Sequence, residues 1–177
     1  ASGRLTIERD EATITRLSRG VGQTGRLHAD AIGQTLGALQ RYKASLEGRT
    51  MEIEAVATEA VRSADNASSF LDPAGEVLGV PVRIISGDEE ARLSYRSVAL
   101  EYPATKALRV IDIGGGSVEL TLGSVKGARL ARSLKIGVIR LTERFGTSDP
   151  LSRRDERAMV RHVTEAIADP VEQIRAK

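Results

Sequence analysis

The chain has 177 residues, and its 26 basic and 24 acidic side chains give a formal net charge of +2. Hydrophobic residues make up 41% and charged residues 28%, which excludes a disordered chain and suits one medium or two small globular domains. Cysteine is absent and histidine occurs twice, so disulfides, thiolate metal sites and histidine-rich metal centres are excluded.

The first hundred residues alternate strand and helix patterns. Strands are predicted over 12–17, 53–58 and 80–85, and the glycines of 19–25 predict a loop. Helices are predicted over 29–46 and 59–71, and Pro73 is expected to break the second of these. Ser86 and Glu89 have the spacing of a capping box, so a further helix should run from Gly87 to about Leu100.

The rest of the chain reads as a sheet followed by helices. Strands are predicted over 108–113, 117–122 and 128–133, and a short helix over 138–145 after Gly137. Ser152 and Asp155 are expected to cap a last helix, which Pro170 should end or kink. One face of that helix should carry Met159, Val160, Val163 and Ile167. Strands that alternate with helices of this size indicate an α/β fold.

The charge is unevenly distributed along the chain. Residues 1–104 carry a net charge of −3 and residues 105–177 a net charge of +5. This asymmetry predicts two structural units or an anionic ligand held by one of them, and the segment from Leu100 to Thr105, which contains Pro103, is the predicted boundary. A solvated basic surface is the simpler explanation.

Two kinds of partner are disfavoured by composition. Aromatic residues make up only 3% and the net charge is small, so we expect no binding to DNA. No run of about 18 apolar residues occurs, and the N-terminus lacks the apolar stretch of a signal peptide. We therefore expect no contact with a membrane.

The segment from Asp112 to Glu119, Asp-Ile-Gly-Gly-Gly-Ser-Val-Glu, concentrates the chemistry. If Gly115 and Gly116 form a two-residue hairpin turn, Asp112 faces Glu119 across the strands and Gly114 faces Ser117. The apolar face, with Ile111, Ile113, Val118, Leu120 and Leu122, should then pack inward, and the polar face should open to a cleft.

Such a hairpin suits a phosphate and a cation. Two carboxylates directly opposed repel each other, and a bound Mg²⁺, which prefers oxygen ligands, would remove that penalty. Three glycines leave backbone N–H groups open to the close approach of a phosphate, and Ser117 adds a hydroxyl. The alternative is a surface hairpin with solvated acidic residues.

The same segment resembles the second phosphate-binding motif of the Ppx/GppA family, the bacterial exopolyphosphatases and guanosine pentaphosphate phosphohydrolases. Residues 57–62, 85–92 and 133–143 resemble further family segments in the family's order, so the resemblance covers nearly the whole chain. It implies an actin-like ATPase (ribonuclease H-like) fold of two domains, here incomplete, with a first domain over 1–104 and the start of a second over 105–177.

The resemblance also implies a role for each matching residue. Glu90 would act as the base or orient the attacking water, and Arg62 would contact a phosphoryl oxygen. Asp112 and Glu119 would be the metal-linked pair, and the terminal phosphate would lie in the cradle formed by Gly114, Gly115, Gly116 and Ser117. Without the resemblance, Arg62 could equally be a surface ion pair, and a glutamate at a helix start is common for dipole reasons alone.

The implied reaction is metal-assisted hydrolysis of a terminal phosphoanhydride bond, with Mg²⁺ or another divalent cation, in polyphosphate or guanosine pentaphosphate. The resemblance further implies a cytoplasmic protein of the stringent response and a possible homodimer. Candidates for a channel that binds a polyanion are the basic residues Arg129, Arg132, Lys135, Arg140 and Arg144, each of which could instead be a solvated surface charge.

The chain departs from the family pattern at both ends. The family begins with a phosphate loop of the type Asp-x-Gly-Ser/Thr-Asn, whereas Asp112 opens the only Asp-x-Gly here, and Lys177 falls early in the second domain. We therefore expect a fragment or a diverged paralogue. Two other functions stay open: a non-catalytic module that binds polyphosphate or guanosine tetraphosphate, and another actin-like ATPase or sugar kinase, although no adenosine-binding segment is visible.

Overall fold

The computed structural model describes residues 6–103 and 106–175, so part of the predicted boundary segment, residues 104 and 105, lies outside the described residues. The strands are β1 (Ala55–Ala57), β2 (Val82–Ile84), β3 (Leu108–Ile113), β4 (Val118–Ser124) and β5 (Gly127–Leu134). The helices are α1 (Val21–Thr24), α2 (Ala29–Ala44), α3 (Glu59–Arg62), α4 (Ser68–Leu78), α5 (Gly87–Glu101), α6 (Val138–Phe145) and α7 (Arg153–Arg175). The elements alternate as the α/β prediction requires.

The first layer is built on a parallel pair of strands. β1 and β2 pair in register from Ala55 with Val82 to Ala57 with Ile84. Parallel strands need a covering crossover, and α4 supplies it by burying Phe70, Ala74 and Leu78, which recur every fourth residue along one helix face. The core beneath also contains Val21, Leu27, Ala57 and Val61.

The predicted strand over 12–17 is wrong. These residues run without ladder pairing, Ile14 is 87% exposed, and Arg16 has a φ of +52°, in the left-handed region that interrupts an extended chain. An alternating pattern forms a strand only beside a partner edge. Within the described residues, the strands of this layer, β1 and β2, pair with each other and not with this segment.

Pro73 does not break its helix, contrary to the sequence prediction, and Pro170, expected to end or kink its helix, does not end it. Each lies inside a continuous helix, α4 or α7. In α7, Val163, Ile167 and Ile174 pack against the second sheet on both sides of Pro170. This packing outweighs the one backbone hydrogen bond that a proline removes. Val160, predicted on the packed face, is 59% exposed.

The second layer is an antiparallel sheet of order β3-β4-β5. The hairpin register agrees with the prediction: Asp112 pairs with Glu119 and Ile113 with Val118. α5 packs on one face and α7 on the other, so β4 is buried along its whole length.

The predicted division of the hairpin into a buried apolar face and an open polar face holds only in part. Ile111 and Ile113 are 65% and 64% exposed, because α7 packs against β5 and the apolar side chains of β4, while β3 lies at the sheet edge. The polar face is covered by α5, where Thr121 donates to the carbonyl of Ala91. The described helices include none that combines the length and apolar character needed to cross a membrane.

Candidate functional site

The glycine turn, residues 114–117, closes the β3–β4 hairpin. The Gly114 N–H donates to the Ser117 carbonyl at 3.0 Å. The other carbonyls of the turn face the start of α6: Val138 donates to Gly114, Ile139 to Gly115 and, from the N-cap position, Gly137 to Gly116, at 3.0, 3.0 and 3.3 Å. The turn thus satisfies N–H groups that a helix start leaves without partners.

This docking sets the direction of the remaining backbone donors. In a trans peptide the N–H points opposite to the carbonyl of the same plane. Because the carbonyls of Gly114, Gly115 and Gly116 face α6, the N–H groups of the three residues that follow them face away from it. Residues 114–117 line a cavity of about 700 Å³, which Ile139 of α6 also lines. The turn therefore presents a row of backbone donors suited to an anion.

Two glycines are required by close approach. A Cβ on Gly137 would lie 2.5 Å from backbone atoms of Gly115 and Gly116, so only glycine lets α6 dock against the turn. A Cβ on Gly116 would lie 2.0 Å from Oε2 of Glu59. The turn is thus held between α6 and the start of α3.

The opposite wall of the cavity comes from the carboxyl end of β1. Ala57, Thr58 and Glu59 line it, together with Ser18 and Glu90. A second cavity, of about 360 Å³, shares Glu59 and is lined by Arg62, Ser86, Ser133 and Lys135 among others. Ligand sites of open α/β sheets are found at such carboxyl ends of parallel strands.

Glu90 and Arg62 meet between these cavities. The Ser86 hydroxyl accepts from the Glu89 N–H at 3.1 Å, so the predicted N-cap is confirmed, and it places Glu90 in the first turn of α5. Oε2 of Glu90 lies 3.4 and 3.5 Å from the two terminal nitrogens of Arg62, one of which also donates to the Ile85 carbonyl at 2.5 Å. Burial, reinforced by repulsion from Glu119, raises the pKa of Glu90, and Arg62 opposes the rise.

Asp112 and Glu119 are opposite each other on the hairpin, as predicted, but they contact different groups. Glu119 is buried and accepts from the Ser133 hydroxyl at 2.7 Å, whereas Asp112 accepts from Ser94 of α5 at 2.7 Å. Glu119 is close enough to raise the pKa of Glu90. Neither Asp112 nor Glu119 is among the residues that line the two cavities.

The carboxylates near the glycine turn are the candidate ligands of a divalent cation. Within residues 6–103 and 106–175, no group of three or more histidine or carboxylate side chains could enclose a metal ion. Glu90 and Glu119 are two carboxylates that repel each other, and Mg²⁺ commonly takes one or two carboxylates and completes its shell with phosphate oxygens and water. The roles predicted for Asp112 and Glu119 in metal binding stay predictions.

The predicted channel residues separate into two groups. A cavity of about 450 Å³ is lined by Lys135, Arg140 and Arg144, and Lys135 joins it to the cavity at Arg62. Its lining also includes His162, 3.3 Å from Arg144, to which the sequence assigned no role. Arg129 and Arg132 line none of the three cavities, and Arg132 donates instead to Gln173 and the Ala131 carbonyl.

Sequence reasoning missed Glu59 and the contact made by Gly137. Glu59 follows a strand end and begins a helix, which is the usual place for an acidic residue of the first turn, so its pattern gave no sign of burial. In the structure it is 2% exposed and borders both cavities.

Comparison with known proteins agrees with this geometry. The Ppx/GppA phosphatase family matches residues 1–177. The chain is similar to the crystal structure of an exopolyphosphatase-like protein (31% identity, TM-score 0.83), covering 89% of this chain and 51% of that one. It is also similar to the Aquifex aeolicus PPX-GPPA enzyme (34% identity, TM-score 0.72), covering 96% of this chain and 57% of that one. An exopolyphosphatase from Cytophaga hutchinsonii is similar as well (29% identity, TM-score 0.83), and the match covers 90% of this chain and 52% of that one.

The chain spans about half the length of these structures. The predicted α/β, actin-like ATPase fold is confirmed, and the chain covers a part of it. The match of the family over every residue, and 34% identity to a member of known structure, agree with the motifs that first suggested the assignment. The chain belongs to the Ppx/GppA phosphatase family.

Proposed function

We propose that the protein hydrolyses terminal phosphoanhydride bonds of inorganic polyphosphate or guanosine pentaphosphate. The observation that carries the proposal is the glycine turn, whose carbonyls accept hydrogen bonds from the start of α6 and which lines the same cavity as Glu90. Membership of a phosphatase family and the likeness to two structures described as exopolyphosphatases or exopolyphosphatase-like support it.

In this proposal the turn holds the terminal phosphate. The N–H groups of Gly115, Gly116 and Ser117 donate to phosphoryl oxygens, and the guanidinium of Arg62 neutralises charge that develops there. Glu90 orients a water molecule for in-line attack and accepts its proton, a task that suits a carboxylate whose pKa is raised. Glu119, close enough to repel Glu90, would be a ligand of a divalent cation, which when bound neutralises phosphate oxygens.

The substrate of this proposal is an extended polyanion. Basic side chains continue from Arg62 past Lys135 to Arg144, along two adjoining cavities. A chain of phosphates would follow these charges, whereas a single phosphate would need only the turn. We therefore expect faster release from polyphosphate than from guanosine pentaphosphate. The predicted cytoplasmic location, homodimer, absence of DNA binding and place in the stringent response stay predictions.

The test measures phosphate release from both substrates, with and without Mg²⁺. Glu90→Gln should lower the rate by about 100-fold or more, within the range that general bases contribute. Glu89→Gln is the matched control, because Glu89 precedes Glu90 on the same helix and pairs with Arg83 instead. If the protein binds polyphosphate but does not hydrolyse it, the alternative function, a non-catalytic binding module, is favoured. If the two variants release phosphate at equal rates, Glu90 has no role in the mechanism.

A further inference from the structure

Glu59 is a buried carboxylate for which the proposed mechanism has no use. Its Oε1 accepts from the Ser63 hydroxyl at 2.8 Å and from Arg140 at 2.5 Å. Its Oε2 is buried and has no hydrogen-bond partner in the described part of the chain. A buried carboxylate oxygen without a donor is costly, so its retention beside the glycine turn calls for a functional reason.

Arg140 connects Glu59 to the turn. One terminal nitrogen of its guanidinium donates to Glu59, and its Nε donates to the Gly116 carbonyl at 3.3 Å. The side chain of Arg140 is 22% exposed and that of Glu59 is 3% exposed, so the pair is largely removed from solvent. The same guanidinium therefore binds the carboxylate and a carbonyl of the phosphate cradle.

Glu59 also contacts the turn directly. Its Oε2 occupies the space behind Gly116, since a Cβ there would lie 2.0 Å from that oxygen. Gly116 is thus held by Glu59 behind its Cα and by Arg140 at its carbonyl. Both contacts fix the plane of the peptide that carries the N–H of Ser117, a residue that lines the cavity of about 700 Å³.

The charges of the pair matter for an anionic ligand. The carboxylate of Glu59 lies against the turn that would receive a phosphate, where an uncompensated negative charge would repel it. Arg140 supplies the compensating positive charge at hydrogen-bond distance. Removing Arg140 alone should therefore weaken anion binding more than removing both charges, because it leaves Glu59 unpaired.

We propose that Glu59 is a positioning residue that acts through Arg140 and Gly116 to hold the backbone donors of the glycine turn toward the phosphate. The proposal rests on the proposed function and deepens it. It separates two effects: the alignment of the turn needs Glu59, whereas the affinity for an anion needs the charge of Glu59 to be paired.

The experiment compares Glu59→Gln, Arg140→Met and the double variant in the full-length protein. Steady-state phosphate release from polyphosphate gives kcat and KM, and calorimetry with tripolyphosphate gives a Kd that does not depend on turnover. Glu76→Gln, an exposed glutamate of α4, is the control and should equal the wild type in every measurement. Thermal unfolding of each variant reports whether it is folded.

Glu59→Gln should lower kcat by about 10- to 100-fold, as loss of alignment does, with KM and Kd within about threefold of the wild type. Arg140→Met should raise the Kd for tripolyphosphate by about tenfold or more, comparable to a lost charge pair. The double variant should recover the Kd of the wild type but keep the low kcat. This recovery is the result that a merely structural role would not give.

The proposal is overturned if Glu59→Gln keeps the kcat of the wild type, or if the double variant binds tripolyphosphate no better than Arg140→Met. If Arg140→Met does not fold, Glu59→Gln and the double variant decide alone, since both must combine wild-type Kd with low kcat. A wild type that binds tripolyphosphate without hydrolysing polyphosphate contradicts the proposed function. The proposal on Glu59 is then decided by whether the double variant binds tripolyphosphate more tightly than Arg140→Met does. A wild type that does neither overturns both.

Discussion

Replacement of Gly137 by alanine tests the docking of the glycine turn against α6. Gly137 has φ −64° and ψ 160°, which any residue adopts, so the effect of alanine comes from its Cβ alone. That atom would lie 2.5 Å from the carbonyl carbon and oxygen of Gly115 and from the carbonyl carbon of Gly116. Since carbon atoms pack at about 3.5–4.0 Å, the turn and the helix must separate by about 1 Å.

The stability and the rate should respond differently to this displacement. Overpacking costs about 1–3 kcal/mol. Replacement of a glycine lowers the conformational entropy of the unfolded chain, which stabilises the folded protein by about 0.4–1 kcal/mol. The net loss of stability, about 0–2.6 kcal/mol, corresponds to a fall in Tm of up to about 10 °C for a domain of this size. A displacement of about 1 Å at a reacting centre costs about 100-fold in rate.

The assay is phosphate release from polyphosphate by Gly137→Ala, beside thermal unfolding. Gly33→Ala is the matched control, because Gly33 lies within α2 and a Cβ there would meet nothing within 4 Å. It should stabilise the protein by about 0.5–1 kcal/mol and leave the rate unchanged. A wild-type rate for Gly137→Ala would refute the argument that this contact aligns the turn.

Three further substitutions have distinct expected outcomes. Because the pKa of Glu90 is raised, the folded state retains a proton that the unfolded state has lost. The stability of the wild type therefore falls as the pH rises from the ordinary glutamate range through the raised pKa. Glu90→Gln should melt at a higher temperature than the wild type at pH 8, and the difference should narrow toward pH 4. Ser86→Ala removes the N-cap of α5 and should cost about 1 kcal/mol in chemical denaturation and lower the rate of phosphate release, since the cap positions Glu90. Tyr95→Phe removes a buried hydrogen bond of 2.9 Å to the Ser124 carbonyl and should cost about 1–2 kcal/mol without changing that rate.

Each of these predictions can fail on its own. A melting difference for Glu90→Gln that grows toward low pH would contradict burial as the cause of the pKa shift. Unchanged denaturation of Ser86→Ala would mean that the serine hydroxyl is replaced by water, and a slower rate in Tyr95→Phe would connect α5 packing to the site by a route that the contacts do not show.

The hairpin could be predicted from the sequence because its register depends on local residues. A Gly-Gly turn between two short apolar strands fixes which residues face each other, and Asp112 does pair with Glu119. The start of α5 is equally local, since Ser86 caps it through a neighbour three residues away. Such features need no knowledge of the rest of the fold.

The errors concern features that distant elements decide. The alternating residues 12–17 have no strand beside them, and the isoleucines of β3 stay exposed because α7 lies over the neighbouring strands. Pro73 is tolerated since α4 gains more from its buried face than it loses in one hydrogen bond. Glu59 could not be found because its partner, Arg140, is 81 residues away.

The docking of α6 behind the glycine turn makes the proposed phosphate site a structure of two layers. The aligned peptides of a helix place about half a positive elementary charge at its first turn. Here that charge acts on the turn's carbonyls, and a hydrogen bond to a carbonyl polarises its amide and strengthens the N–H on the opposite edge. In the proposed function the helix therefore contributes to anion binding through the peptide groups of the turn as well as through the Arg140 side chain, so fraying of α6 should weaken the donors of the loop.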